Sequence, residues 1–273
     1  MIAYPNGKVN LGLRVTGKRP DGYHEIQSVF FPVPVCDILE MVPSVSGTPA
    51  FHQSGLPIPG SVENNLCNKA VEVYQSAVLR PLSPFDIYLH KQIPMGSGLG
   101  GGSADGAFVL RMLNEWNGSP FSVEQLEDMA LELGSDCPFF IRNRPAFAMG
   151  RGEVLSGVEV DLDGFFLALI IPPVHVNTAE AYRMLTPAVP ETDLREVITL
   201  PVEDWKDNLI NDFEGPVMER FNEIREIKER LYGLGAVYSS MSGSGSAVFG
   251  LFENPVQISG IFPTGYFTFV SQL

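Results

Sequence analysis

Cysteine, histidine and basic residues are all scarce in this sequence. The three cysteines, Cys36, Cys67 and Cys137, lie far apart and are odd in number, and no Cys-x-x-Cys or Cys/His cluster occurs. Neither a zinc site nor a disulfide framework is expected. The four histidines, His24, His52, His90 and His175, are equally scattered. Eighteen Lys and Arg stand against 32 Asp and Glu, a formal charge of −14. That balance argues against nucleic acid as a partner, because phosphate backbones are bound by basic surfaces. It leaves open a small phosphate ligand held at a local site of N–H groups, one or two cations and Mg²⁺. The longest apolar runs, such as 165–174, are too short to span a bilayer, so no membrane partner is expected. Residues 1–8 have no apolar region after a basic start, so no signal peptide is read and a cytoplasmic location is expected. Long-period repeats, low-complexity tracts and coiled-coil heptads are also missing.

The apolar share of 45% in 273 residues suits a folded chain of one large domain or two ordinary ones. Its most informative stretch is Pro94-Met95-Gly96-Ser97-Gly98-Leu99-Gly100-Gly101-Gly102-Ser103-Ala104-Asp105. Before it, Ile87, Leu89, Lys91 and Ile93 alternate with other residues, which predicts a strand. After it, Ala104, Ala107, Phe108, Met112, Leu113 and Trp116 recur at helical spacing. A glycine-rich turn thus leads from a strand into a helix. Glycine admits positive φ and lets a ligand approach the backbone. The first helical turn has N–H groups without partners at the positive end of the dipole. Together these make a phosphate site. The stretch is not G-x-x-x-x-G-K-[ST], since no lysine follows the glycines. Nor is it G-x-G-x-x-G, since Ser103 stands where the third glycine belongs. A flexible linker is the plain alternative, but a linker is not flanked by a strand and a helix.

Residues 9–15 alternate and predict a first strand, with Lys8 at its start. Read alone, Lys8 is a solvated strand-end lysine. Pro20-Asp21-Gly22 is turn chemistry, and Tyr23 and His24 follow at once. Two readings stand there: a hairpin with Tyr23 packed and His24 exposed, or a base-recognition pair with Tyr23 stacking on a ring and His24 bonding its edge. Residues 29–35 and 38–42 read as strands and 44–60 as loop or hairpin. Residues 64–79 read as an amphipathic helix with Leu66, Ala70, Val73 and Ala77 on one face, capped by Asn64 or Asn65. Ser122-Val123-Glu124-Gln125 is a capping box ahead of Leu126, Met129, Ala130 and Leu133, with Gly134 at the C′ position. Asp136 comes straight out of that helix end, either as a turn or N-cap aspartate or as a carboxylate near the phosphate site. Residues 146–153 read as strand and turn, and 165–171 as a buried strand that opens a second domain. Thr178 caps a short helix carrying Tyr182, and 187–199 is loop or short helix. Residues 208–214 lead into one long helix with Val217, Phe221, Ile224, Ile227 and Leu231 inward, ended by Gly233 or Gly235. The strands 236–240, 247–252 and 265–270 close the chain. Met241-Ser242-Gly243-Ser244-Gly245-Ser246 is a second glycine-rich turn.

Several of these segments resemble one superfamily. Asn6-Gly7-Lys8-Val9-Asn10-Leu11 is similar to the first motif of the GHMP kinases, residues 94–105 to the second and 241–246 to the third. Leu133-Gly134-Ser135-Asp136-Cys137-Pro138-Phe139-Phe140 resembles their aspartate motif. The glycine stretch alone points to the superfamily of homoserine, mevalonate and galactose kinases. Arg19-Pro20-Asp21-Gly22-Tyr23-His24-Glu25, taken with Gly134-Ser135-Asp136-Cys137-Pro138, resembles the family of 4-diphosphocytidyl-2-C-methyl-D-erythritol kinases. The motifs keep the family's order across nearly the whole chain. There are small departures. Asn6-Gly7 stands where Pro-Ala is usual, Ser135 replaces alanine, Cys137 replaces valine, and Ala104 stands where a second serine is common.

The resemblance implies an α+β fold of two domains, 1–157 and 158–273, with the active site in the inter-domain cleft. It implies transfer of the ATP γ-phosphoryl group, with Mg²⁺, to the 2-hydroxyl of 4-diphosphocytidyl-2-C-methyl-D-erythritol, a step of the non-mevalonate route to isoprenoid precursors. Such transfer depends on positioning and charge stabilisation, and the attacking alcohol must lose its proton. By the match, Asp136 is the general base. Lys8 keeps it ionised and stabilises the developing charge. Pro94, Met95, Gly96, Ser97, Gly98, Leu99, Gly100, Gly101, Gly102, Ser103 and Ala104 hold ATP. Tyr23 and Tyr182 sandwich the cytosine and His24 reads its polar edge. Asn10, Thr178, Gly243 and Ser244 support the substrate. No Asp/Glu cluster marks a protein ligand for Mg²⁺, and Ser103 is the candidate. The alternatives are another GHMP kinase, against which Tyr23-His24 speaks, and a catalytically dead nucleotide-binding protein, which would be expected to lack Lys8 or Asp136.

Overall fold

The computed structural model describes residues 1–60, 64–78, 80–190 and 192–273. The elements begin β1 (Ile2–Ala3), β2 (Asn6–Lys18), β3 (His24–Cys36), β4 (Ile38–Pro43), β5 (Ala50–Gly55), α1 (Leu66–Ala77) and β6 (Phe85–Lys91). Then come α2 (Gly101–Trp116), α3 (Val123–Leu133), α4 (Cys137–Arg142), β7 (Ala146–Met149), β8 (Val154–Gly157) and β9 (Phe166–Ile171). The remainder holds α5 (Thr178–Arg183), α6 (Leu194–Val197), a 3-10 turn (Val202–Asp204), α7 (Trp205–Asn208), α8 (Glu214–Arg220), α9 (Asn222–Gly233), β10 (Tyr238–Met241), β11 (Val248–Phe252) and β12 (Phe267–Gln272). Among the described residues no helix is long and apolar enough to cross a membrane.

The chain condenses into two compact units, both discontinuous in sequence. The first comprises Met1–Gly7, Val35–Met95 and Gly100–Arg144; the second comprises Lys8–Pro34, Gly96–Leu99 and Pro145–Leu273. In the first unit one sheet runs β1-β4-β6-β5. Alternate residues of β4 and β6 are buried: Leu39 and Met41 on one strand, Phe85, Ile87 and Leu89 on the other. Residues 50–55, expected as loop, form an edge strand because they pair in parallel with Asp86 to Lys91. Helices α1 to α4 pack on one another. The α1 cap is Asn65, whose side chain accepts from Cys67 N at 2.9 Å. The Ser122–Gln125 capping box forms as expected. Gly134 ends α3 in an extended conformation, φ 162°, not in the left-handed region. Two residues of predicted segments, Leu79 and Glu191, lie outside the described residues.

The second unit holds two sheets, ordered β2-β3-β7-β8 and β10-β11-β9-β12. Residues 167–171 are fully covered, as a continuous apolar run requires. One core joins Leu13 and Val15 of β2, Ala168 and Ile170 of β9, Val217 of α8, and Ile224, Ile227 and Leu231 of α9. The single long helix expected there is two helices, because Phe221 is extended (φ −121°, ψ 90°). The apolar spacing continues across that one-residue break, so periodicity does not register it. The cap of α5 is Asn177, which accepts from Glu180 N, and Thr178 is the first helical residue.

Candidate active site

In the second unit the loop 96–99 rests on the turn between β10 and β11. Ser242 Oγ donates to Gly98 O at 2.9 Å, and Ala247 N donates to Ser97 O at 2.8 Å. At two positions there is no room for a side chain. A Cβ on Gly98 (φ +92°) would lie 2.0 Å from Ser242 O, and one on Gly245 would lie 2.3 Å from Ser97 C. The loop also meets the start of β2, where Lys8 N donates to Leu99 O at 2.8 Å.

Lys8 is not the solvated strand-end lysine of the plain reading. It is 3% exposed, because its side chain lies under the sheet face. Its Nζ donates to Asn10 Oδ1 at 2.5 Å and sits 4.3 Å from the centre of the Phe30 ring. Asn10 Nδ2 passes the chain on to Ser28 Oγ at 2.8 Å, and Ser28 Oγ donates to Gly12 O at 2.6 Å. A cation is thus held by a fixed relay of buried groups, with its position set by β2 and β3. Gly243 adjoins this relay: a Cβ there would stand 3.4 Å from Asn10 Oδ1. Ser244 Oγ donates to Thr178 Oγ1 at 3.1 Å.

The predicted base-recognition residues form two ring contacts. His24 stacks on Tyr182 with centroids 4.6 Å apart and planes 17° from parallel, and Tyr182 meets Phe213 edge-on. Burial, and then the charge of Lys18, hold the His24 imidazole below its ordinary range, so the ring is neutral at pH 7. Tyr23 is 56% exposed, and the Arg151 guanidinium covers one face of its ring at 4.8 Å from the centre.

The first unit carries the other half of the glycine stretch. Gly100, in the left-handed region, caps α2, and the free N–H groups of its first turn follow. Ser103 in that turn lies near the thiol of Cys137, the residue that follows Asp136. Burial raises that thiol to about 12, so it stays protonated. Asp136 stands at the N-cap of α4 but makes no capping hydrogen bond. A cavity of about 110 Å³ opens beside α2, lined by Ile58, Pro59, Asn64, Leu66, Met95 and Gly102 among others. Beneath it Lys91 Nζ lies 2.5 Å from Asp37 Oδ2 and 2.7 Å from Asp105 Oδ2. Burial works against the Lys91 charge, but Asp105 and Asp37 outweigh it and hold the ammonium above its ordinary value. Among the described residues no group of three or more His, Cys, Asp or Glu is placed to hold a metal ion.

Ser242 lies in the second glycine-rich turn read from the sequence, but Ser28, Arg151 and Asn211 were not singled out. Asn211 alone left a signal, an Asn-x-x-Glu spacing just ahead of a helical pattern.

Comparison with known proteins gives a consistent result. The profile for the GHMP kinases N terminal domain matches residues 65–144, and that for GHMP kinases C terminal matches 187–262. A 4-diphosphocytidyl-2-C-methyl-D-erythritol kinase of Parabacteroides distasonis is 50% identical over 255 residues, 93% of each chain. A crystal structure of 4-(cytidine 5'-diphospho)-2C-methyl-D-erythritol kinase is 34% identical with a TM-score of 0.79, covering 93% of this chain and 91% of that one. A homoserine kinase from Cytophaga hutchinsonii, at 16% identity and a TM-score of 0.64 over 98% and 94% of the two chains, shares the fold. With two family profiles matched and half its residues shared along nearly the full length of a relative, the chain belongs to the GHMP kinases and, within them, to the 4-diphosphocytidyl-2-C-methyl-D-erythritol kinase family.

Proposed function

We infer that this protein transfers the γ-phosphoryl group of ATP to 4-diphosphocytidyl-2-C-methyl-D-erythritol in the non-mevalonate pathway. The observation that carries the inference is 50% identity over 93% of both chains with a kinase of that name. The acceptor is its 2-hydroxyl.

The residue roles are part of the same proposal. The glycine stretch 96–104 holds the phosphates through backbone N–H groups, as expected of glycines that run into a helix N-terminus. The cavity at Ile58, Leu66 and Met95 takes the adenine; its apolar walls and the amide of Asn64 suit a heteroaromatic base. Asp136 accepts the hydroxyl proton as the oxygen attacks phosphorus. Lys8 supplies a positive charge to the oxygens on which negative charge builds, and its buried relay through Asn10 and Ser28 suits a cation that must not move. Tyr23 and Tyr182 flank the cytosine, with His24 at its polar edge and Thr178, Gly243 and Ser244 nearby. The neutral His24 ring suits that task, since it can donate and accept at once.

Mg²⁺ accompanies ATP in this reading. It is a hard cation that takes oxygen ligands, most of them from phosphate and water. Ser103, in the first turn of α2, is the residue that would hold it. When bound it shields the phosphate charge. A division at 157/158 leaves one family profile on each side. The use of ATP fits a cytoplasmic protein.

The test is ADP release with Mg-ATP and 4-diphosphocytidyl-2-C-methyl-D-erythritol, with homoserine and mevalonate as controls. Turnover with the cytidine compound alone is expected. Turnover with a control alone would keep phosphoryl transfer and overturn the substrate.

A further inference from the structure

Asn211 is 1% exposed, and its carboxamide is engaged on both ends. Nδ2 donates to Met241 O at 3.0 Å and to Gly243 O at 2.9 Å, while Oδ1 accepts from Phe213 N at 3.0 Å. Those two carbonyls bracket Ser242, the residue whose hydroxyl holds Gly98 O. Glu214 holds the end of β10 that leads into the turn. Its Oε1 accepts from Met241 N and from Ser240 Oγ, each at 2.9 Å, and its Oε2 is anchored 2.6 Å from Lys228 Nζ.

The segment is tied equally firmly to β2. Leu13 N donates to Ile210 O at 2.9 Å, and Asp212 N donates to Leu13 O at 2.8 Å. Asp212 Oδ2 accepts from Val15 N, and Oδ1 accepts from Arg14 Nη1, both at 2.8 Å. One run of five residues, 210–214, therefore bonds both to the strand that carries Lys8 and Asn10 and to the turn that carries Ser242.

A brace is needed here for a physical reason. Gly243 and Gly245 have no side chains with which to hold the turn in place. Gly245 also sits so close to Ser97 that the turn cannot shift without moving the loop. Phosphoryl transfer is sensitive to such shifts, a misplacement of ~1 Å costing on the order of 10²-fold in rate.

We propose that Asn211 is a positioning residue for phosphoryl transfer: it fixes the 242–246 turn, and through Ser242 the 96–99 loop, in register with the strand that bears Lys8. It touches no substrate in this role. The proposal rests on the kinase reading given above and extends it to a residue outside the glycine motifs.

The test uses the full-length protein and two readouts, steady-state kinetics and amide hydrogen exchange. Asn211→Ala removes both donors. It should lower kcat by roughly 10- to 100-fold, as lost positioning does, with a smaller change in the KM for the cytidine substrate, whose other contacts stay in place. Exchange should quicken in 241–247 and 96–99 and stay unchanged in β4 and β6. Asn211→Asp keeps the shape and the acceptor for Phe213 N but faces two carbonyls with an acceptor, so it should lose at least as much kcat. A folded Asn211→Ala variant with wild-type kcat, or with unchanged exchange in both segments, overturns the proposal. So does a kcat loss that merely tracks the unfolded fraction and vanishes on cooling. Should both variants fail to fold, Ser242→Ala breaks the next link with Asn211 intact; a kcat loss larger than any change in cytidine KM is expected, and wild-type kcat overturns the proposal. No turnover by the wild-type protein would remove the kinase reading, and the exchange data would still decide whether Asn211 holds the turn.

Discussion

Lys91 and Asp37 form an ion pair of 2.5 Å in which both side chains are wholly buried. Asp37 does more than neutralise the lysine: its Oδ1 accepts from Gln92 N at 2.5 Å and from Ile93 N at 2.9 Å, where the chain leaves β6 for the glycine stretch. Asp37→Ala would strand a buried ammonium beside Asp105 and deprive two N–H groups of their acceptor. Breaking one side of a buried pair typically costs ~3–5 kcal/mol, so this variant should unfold at markedly lower denaturant concentration. A midpoint within experimental error of wild type would mean that Asp105 alone satisfies Lys91.

Asp105 is the excess carboxylate of this cluster. Burial pushes it up, Lys91 pulls it back and Asp37 adds to the rise, which leaves it at about 7. Its Oδ1 accepts no hydrogen bond. Between its unfolded value near 4 and its folded value near 7, the folded protein keeps a proton that the unfolded chain has lost. Stability from this group therefore falls as pH rises through that window and levels off above it. Asp105→Asn removes the dependence. The difference in thermal midpoint between variant and wild type should grow in the variant's favour from about pH 4 to about pH 7. A constant difference would show that Asp105 is already ionised at the acid end.

Asp136→Asn keeps the shape of the side chain and removes its basicity. General-base catalysis contributes ~10²–10⁴-fold, so kcat should fall by that order while the KM for ATP stays near wild type. Near-wild-type turnover would take Asp136 out of the proton-transfer step.

Tyr23→Ala should act on binding. Stacking of a base on an aromatic ring is worth ~1–3 kcal/mol, which predicts a rise of roughly tenfold or more in the KM for the cytidine substrate, with kcat little changed. Arg151 covers one face of this ring, which leaves the other for a base. An unchanged KM would remove Tyr23 from the recognition of cytosine.

The parts of the fold that were legible are those written locally. The glycine stretch between β6 and α2, the Ser122 capping box and the apolar run of β9 each lie within a dozen residues, and each declares its own geometry. What was hidden depends on distant partners. Lys8 looks solvated because Phe30 and Ser28, which bury and bond its surroundings, come from the next strand. β5 looks like loop because its strand character comes from pairing with β6, thirty-odd residues on. Phe221 ends a helix without proline or glycine, so nothing in its neighbours announces the break. Asn211 reads as a helix-entry asparagine until the carbonyls of Met241 and Gly243 are seen against it.

The meeting of the 96–99 loop with the 242–246 turn has an evolutionary consequence. Apart from the Ser242 hydroxyl, it is main chain against main chain where Gly98 and Gly245 are left bare. Contacts between side chains can drift, one partner growing as the other shrinks. Here there is nothing to shrink: the obstacle to a new carbon at either position is a peptide group. The two positions also face each other, since a Cβ on Gly245 would lie 2.4 Å from Gly98 N. A substitution at either glycine therefore has to displace a peptide group of the facing segment.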